Sequence, residues 1–337
     1  MLACDRKELE HNVKEGWYMR RGIIIISLIL LTLTLSLLAT GPVFASAEAG
    51  ANAAKATGLA WWAWPAILFG VTFVMGIVAV LAGVGGGVLF TPIIGGFFPF
   101  SMDFVRAAGL LVALSGALAA GPGLLKKGMA DLRLAIPVAL IASSGAIVGA
   151  MIGLAMPDNI VQISLGVAIL AIVGIMLKAK KSEFPDVPKA DNLSTALKIT
   201  GIYHETSTGQ DVNWKIHRTP QGLITFIFIG VMAGMFGLGA GWANVPVLNL
   251  MMGAPLKVSV ATSKFLLSIT DTSAAWIYIN QGALIPMIVV PSIIGIMLGS
   301  FIGVKLLAKT KPAMIKNIVI VLLAFSGIRA ILKGFGI

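Results

Sequence analysis

The sequence predicts an all-α polytopic membrane protein made of two inverted repeats of about five helical segments each, with each repeat opened by a helix hairpin broken at clustered glycines. Three observations lead there. Of 337 residues, 58% are hydrophobic and 12% charged, half of the about 25% charge with which soluble domains coat their surfaces. Apolar runs recur along nearly the whole chain, many near the about 20 residues that cross a hydrocarbon core. The third is a repeated frame: GVGGGVLFTP (Gly83 to Pro92) and GLGAGWANVP (Gly237 to Pro246) both read Gly-x-Gly-x-Gly-x-x-x-x-Pro, 154 residues apart.

The N-terminal 1–47 segment reads as targeting. Arg20 and Arg21 precede GIIIISLILLTLTLSLLATGPVFASA, with small residues at Val43, Ala45 and Ala47. That fits a signal sequence cleaved near Ala45 or Ala47, and equally an uncleaved anchor helix over Gly22 to Thr40. Met19 is an alternative start.

Repeat 1 occupies 65–178, with apolar segments at 65–82, 88–99, 105–122, 133–155 and 160–178. Repeat 2 occupies 221–333, with segments at 221–236, 241–253, 258–279, 284–307 and 314–333. The offset of 154 pairs more than the glycine frames. It matches Gly76 with Gly230, Ala79 with Ala233, Ala107 with Ala261, and Ala120 with Ala274. It also matches Gly128 with Gly282, Pro137 with Pro291, Gly145 with Gly299, and Gly149 with Gly303. This is the signature of a duplication. The first two segments of a repeat joined as one helix would be about 50 Å long at 1.5 Å per residue, too long for a core of about 30 Å. The glycines therefore mark a sharp reversal between two short helices, the second starting near Val88 or Trp242. At Gly145, Gly149, Gly299 and Gly303, spaced i,i+4, the expected role is close helix packing.

Charge orients the chain. If each hairpin returns to its starting side, the repeats are inverted. Lys126, Lys127, Arg133, the polar 179–220 linker, Lys257, Lys309 and Lys311 then fall inside, and the uncharged Asn280–Ala283 loop falls outside. This obeys the positive-inside rule, so the linker is expected to be cytoplasmic and the protein a multi-pass component of the plasma membrane. Within the linker, GIYHETSTGQDVNWKIH suits a small hairpin around Thr208-Gly209.

Other chemistries lack their residues. The net charge of +11 comes without an arginine-rich arm or interleaved aromatics, so no nucleic acid is expected. Cys4 is the sole cysteine, and His11, His204 and His217 all lie in polar stretches. Intrachain disulfides, thiol metal sites and intramembrane Ser-His or zinc chemistry are thereby disfavoured, and no metal or cofactor is expected. Neither glycine frame is a nucleotide loop. Both lack the Gly-Lys-Ser/Thr of a phosphate loop, and Phe90 stands where a dinucleotide fingerprint needs glycine.

A helix broken inside a membrane leaves its first N–H groups without partners. Its N-terminus carries about half a positive charge and suits an anion. Gly83, Gly85, Gly86, Gly87, Gly237, Gly239 and Gly241 are therefore candidate anion-binding positions, aimed at one central pocket. Asn244 and Asn249 flank Pro246 and have amides able to donate. Trp242 lines the pocket or packs. In ATSKFLLSITDTSAAW, Lys264 and Asp271 interrupt the third segment of repeat 2. Charge there costs about 2.5–3.5 kcal/mol on insertion scales, so each should face a cavity or a partner. The two share a helix face, with Ser268 between them, but stand about 10 Å apart along the axis. Lys264 would offset the anion, and Asp271 would balance the site's charge or carry a proton.

GVGGGVLFTPII together with GLGAGWANVPVLNLMMGAPLKVSVATSKF resembles the TauE/SafE sulfite exporter family, also called the four-toluene-sulfonate uptake permeases, over roughly residues 66–333. The family pattern falls on Gly83, Gly85, Gly86, Gly87 and Pro92, and in the second half on Gly237, Gly239, Gly241, Pro246, Pro255, Ala261, Thr262 and Ser263. Thr262 and Ser263 thereby join the candidate substrate-binding residues. Ala240 stands in place of the middle glycine, and Lys264 and Asp271 go beyond the general motif. The resemblance implies a secondary transporter of small sulfur-containing anions, such as sulfite, a sulfonate or a related oxyanion. The expected partners are that anion and the bilayer, with a homo-oligomer left open. An anion channel and, less favoured, an intramembrane enzyme are the alternatives.

Overall fold

The computed structural model describes residues 63–82, 85–98, 100–126, 130–178, 185, 187–205, 210–307 and 312–336. The 1–47 segment, Gly83, Lys127 and the tip of the linker hairpin lie outside these. In the first half the helices are α1 (Ala63–Ala82), α2 (Gly86–Phe97), α3 (Met102–Lys126), α4 (Leu132–Ala155) and α5 (Asp158–Lys178). The linker holds α6 (Asn192–Ala196) and strands β1 (Thr200–Glu205) and β2 (Gln210–Lys215). The second half has α7 (Thr219–Phe236), α8 (Gly241–Pro246), α9 (Leu256–Asn280), α10 (Pro286–Leu307) and α11 (Pro312–Gly334). This is a mostly helical membrane protein. Among the described residues α1, α3, α4, α5 and α7 are long and apolar enough to cross a bilayer.

Local chemistry sets the helix ends. Prolines open α10 and α11 and stand in the first turn of α7, where the missing N–H is no loss. Asp131 caps α4 by accepting from the Leu134 amide at 2.8 Å. Gly237, at φ +66°, ends α7 in the left-handed region. α8 widens after Pro246 into a π-helical turn over Val247–Met251.

Helices of one half pack chiefly on the other half. α1 lies along α10, and α4 along α7; α4 also packs on α9, α3 on α10, α3 on α9, and α5 on α11. The contacts exchange in register. A methyl group at Gly76 would lie 2.6 Å from the Ile296 carbonyl oxygen, and one at Gly230 would strike that of Ala142. Gly145 meets the Ile227 carbonyl and Gly299 that of Phe73; Gly149 meets Val231 and Gly303 meets Ile77. Shifting by 154 residues converts each contact into its counterpart. The four i,i+4 glycines thus bring backbones together, as expected.

α3 and α9 form the centre: α3 is 72% buried over Met102–Ala119, against 33–44% for the other four spans. Outward faces are apolar, with Leu140, Phe228 and Val321 each exposed by more than 60%. Such faces suit lipid rather than water.

One expectation needs correction. The glycine-broken pairs are not two short helices. α1 and α7 are full-length at 20 and 18 residues, and only α2 and α8 are short. The breaks fall at the far ends of α1 and α7, so the first member is still long and apolar enough to cross a bilayer. The linker, by contrast, carries the expected hairpin. β1 and β2 pair antiparallel, Thr200 with Lys215 through Glu205 with Gln210. Ile199, Trp214 and Ile216 share a core with Leu248, Met252, Ala254 and Val258. The His217 amide donates to the Met252 carbonyl at 3.0 Å. The linker is therefore seated on the turn between α8 and α9.

Candidate functional site

The second elbow runs from Gly237 to Ala240, between α7 and α8. Gly237 and Gly239 have φ of +66° and +67°, a conformation costing an L-residue roughly 1–2 kcal/mol. Both are also hemmed in. A methyl group at Gly237 would strike the Arg106 backbone, and one at Gly239 would lie 2.8 Å from Asp271 Oδ2 and 2.9 Å from Ala113 Cβ. The Thr91 hydroxyl of α2 donates to the Gly237 carbonyl at 2.7 Å, which fastens the first half-helix to the second elbow.

The two elbows touch. A Cβ on Gly241 would stand 3.2 Å from Gly85 Cα, and one on Gly87 would stand 2.6 Å from the Leu238 carbonyl oxygen. Gly85 precedes α2 in an extended conformation with no side-chain cap, leaving the first α2 amides to the elbow region. The glycine frames thus meet backbone to backbone. Gly86 packs instead on Ile296 and Val112. A cleft of about 820 Å³ lies elsewhere, at the linker, between the hairpin, Val187 and Pro255.

Polar groups without partners gather on α8 and α9. Asn244, 1% exposed, has neither amide atom hydrogen-bonded. Trp242 Nε1, Thr270 Oγ1 and both Asp271 carboxylate oxygens are likewise buried and unpaired. Native interiors pair nearly all such groups, which makes α8 and α9 the candidate place for a bound molecule. Trp242 packs against the core with this indole nitrogen unpaired. Lys264 is half-buried and makes no ion pair with Asp271, which agrees with their axial separation.

Other candidates have structural duties. Thr262 is fully buried and its hydroxyl accepts from the Asp131 amide at 3.3 Å, tying α9 to the start of α4. Ser263 is 2% exposed. Asn249, expected to offer its amide to an anion, donates from Nδ2 to the Ala254 carbonyl at 2.9 Å. It stabilises the π-helical turn. Ser268 bonds back to the Phe265 carbonyl.

Sequence reasoning missed Arg106 and Tyr278. Arg106 is fully buried in α3. It donates to the carbonyls of Gly153 at 2.8 Å and Met235 at 3.2 Å, pairs with Asp103, and lies 5.6 Å above the Tyr278 ring. The Tyr278 hydroxyl donates to the Gly234 carbonyl at 2.9 Å. Together they bond carbonyls in the last turns of α4 and α7, and a cation there also suits the helix dipole. The signal was available: Arg106 interrupts an apolar run at the position where the second half has Val260.

Comparison with known proteins agrees with this architecture. The family model described as "Sulfite exporter TauE/SafE" matches residues 68–330. The chain is 22% identical over 276 residues to the "Probable membrane transporter protein YunE" of Bacillus subtilis (strain 168), covering 80% of this chain and 97% of that protein. No solved structure matches. The match extends from α1 into α11 and takes in both elbows, and the chain belongs to the TauE/SafE sulfite exporter family of membrane transporters.

Proposed function

We propose that the protein is a secondary transporter of a small sulfur-containing anion, sulfite, a sulfonate or a related oxyanion, working by alternating access. The observation that carries this reading is Asn244: buried one turn into the half-helix that begins at Gly241, with donor and acceptor both unsatisfied. A small oxyanion is well matched to such a donor near the start of a half-helix. Gly85, Gly87, Gly239 and Gly241 let the backbone approach the anion, Lys264 offsets its charge, and Asp271 is the coupling or charge-balancing group. Thr262 and Ser263 support the helix that presents them.

The halves are read as inverted repeats that rock about the elbow contact. The register-exchanged packing of α1 on α10 and α4 on α7 supports that reading, as does the placement of basic loops. The linker is then cytoplasmic. Alternating access requires the Gly85–Gly241 contact to part on one side at a time. The test is flux of radiolabelled sulfite, sulfate, thiosulfate and a sulfonate into proteoliposomes, with Lys264→Ala alongside. Saturable flux of one of these, lost in a folded Lys264→Ala, is expected. Unchanged flux in the variant would remove the lysine from the site. Conductance far above carrier rates in a planar bilayer would make the protein a channel instead.

A further inference from the structure

Asp271 is 0% exposed, its carboxylate makes no ion pair, and neither oxygen closes a well-aligned hydrogen bond. A bare, unpaired carboxylate away from water is among the most costly groups a protein can bury. Lys264 acts on it only from a distance, without forming an ion pair, so its charge has to be cancelled by a metal cation or by a proton. The surroundings discriminate. A methyl on Gly239 would lie 2.8 Å from Asp271 Oδ2 and 2.9 Å from Ala113 Cβ, so the space beside the carboxyl on this side is bounded by Gly239 and Ala113. The Ala240 N–H is directed toward it without closing a well-aligned hydrogen bond. A cation would need a ring of oxygens, but on the elbow side it meets the Ala240 N–H, whose dipole repels it. Among the described residues no group of three or more His, Cys, Asp or Glu could hold a metal ion. A proton needs no such ring.

Charged groups other than Lys264 stand away. On α3, Arg106 is engaged with Gly153, Met235 and Asp103, and Lys126 lies about 20 Å along the helix from Ala113. On α4, Arg133 and the capping Asp131 sit at the level of Thr262, about 13 Å along α9 from Asp271. α7, α8 and the π-helical turn contain no charged residue, although Arg218 precedes α7. On α9 itself Lys257 lies two turns beyond Lys264, the cation whose charge reaches Asp271.

We propose that Asp271 carries the coupling proton, so that the anion crosses together with H+. This rests on the anion-transport reading above. The carboxylate takes one proton from water on the side to which the elbow opens, holds it as the neutral acid while the elbows are in contact, and returns it to water on the other side. No other bond forms or breaks. An ionised Asp271 beside Gly239 would repel an anion at the same elbow, and the neutral acid would not. Proton and anion therefore favour each other's binding, and by linkage the effect is mutual.

The experiment uses full-length protein in proteoliposomes loaded with a pH-sensitive dye. The probes are thiosulfate, sulfate and a sulfonate, all ionised at neutral pH. An inward anion gradient should acidify the lumen, and an inside-alkaline pH gradient should accelerate uptake about tenfold or more. Asp271→Asn should abolish both responses in protein that still reconstitutes as a monodisperse species. Anion flux indifferent to the pH gradient, flux that follows a sodium gradient, or acidification that persists in Asp271→Asn would overturn the proposal. If the variant fails to reconstitute, the wild-type responses to pH and sodium gradients still decide. Absence of any anion flux in the wild type would count against the transport reading, whereas flux without acidification counts against the proton alone.

Discussion

Replacing Gly239 by alanine tests the elbow most directly. The residue sits at φ +67°, which costs an L-residue roughly 1–2 kcal/mol. The added methyl would also lie 2.8 Å from Asp271 Oδ2 and 2.9 Å from Ala113 Cβ. Relieving such overpacking costs typically about 1–3 kcal/mol. Together Gly239→Ala should lose roughly 2–5 kcal/mol, taking the strain and overpacking figures as additive. At about 2 °C per kcal/mol that lowers Tm by roughly 4–10 °C. Gly85→Ala is the matched control. Gly85 has φ −72°, and a methyl there would meet Gly241 Cα at 3.6 Å, ordinary contact. It should shift Tm by little. Thermal unfolding of the purified proteins in detergent, followed by anion flux, reads both. Equal Tm for Gly239→Ala and wild type, or a loss at Gly85→Ala as large as at Gly239→Ala, would refute this account of the elbow.

Asn244→Ala removes an amide that has no protein partner, so Tm should hold or rise while anion flux falls at least tenfold; a matching drop in Tm would mean the amide is structural. Asn249→Ala should behave oppositely, losing about 1 kcal/mol for its bond to Ala254, with flux falling only as far as folded protein is lost. Arg106→Met removes the Arg106 bonds to the Gly153 and Met235 carbonyls and should cost about 1–3 kcal/mol, and Arg106→Lys should recover part of that; the yield of monodisperse protein and Tm report it. Cysteines placed at 126 and 280 in a Cys4→Ser background should label from opposite faces of the membrane, and labelling from one face would rule out inversion.

Most helix positions were legible because the signals were local. Apolar run length, proline at helix starts and glycine at helix ends are written along the chain, and segment boundaries fell within a few residues of the observed helices. The pairing of Gly145 and Gly149 with α7 was half legible, since small residues announce close approach without naming the neighbour. The site was less so. Asn244 and Asn249 look alike in sequence, flanking one proline, yet Asn249 is used by the Ala254 carbonyl and Asn244 is not. Arg106 reads as an isolated charge until α4 and α7 bring their carbonyls to it.

By itself the sequence determined that this chain would be helical and membrane-embedded, broken twice at glycines, with charges at 264 and 271 in an apolar segment. These follow from composition and spacing, and depend on the solvent each residue tolerates. Tertiary structure alone decided which polar groups remain unsatisfied, because a hydrogen-bond partner is a matter of position in space. It brought Gly85 against Gly241 and laid Asp271 against Gly239, contacts between residues more than 30 positions apart that no local pattern encodes.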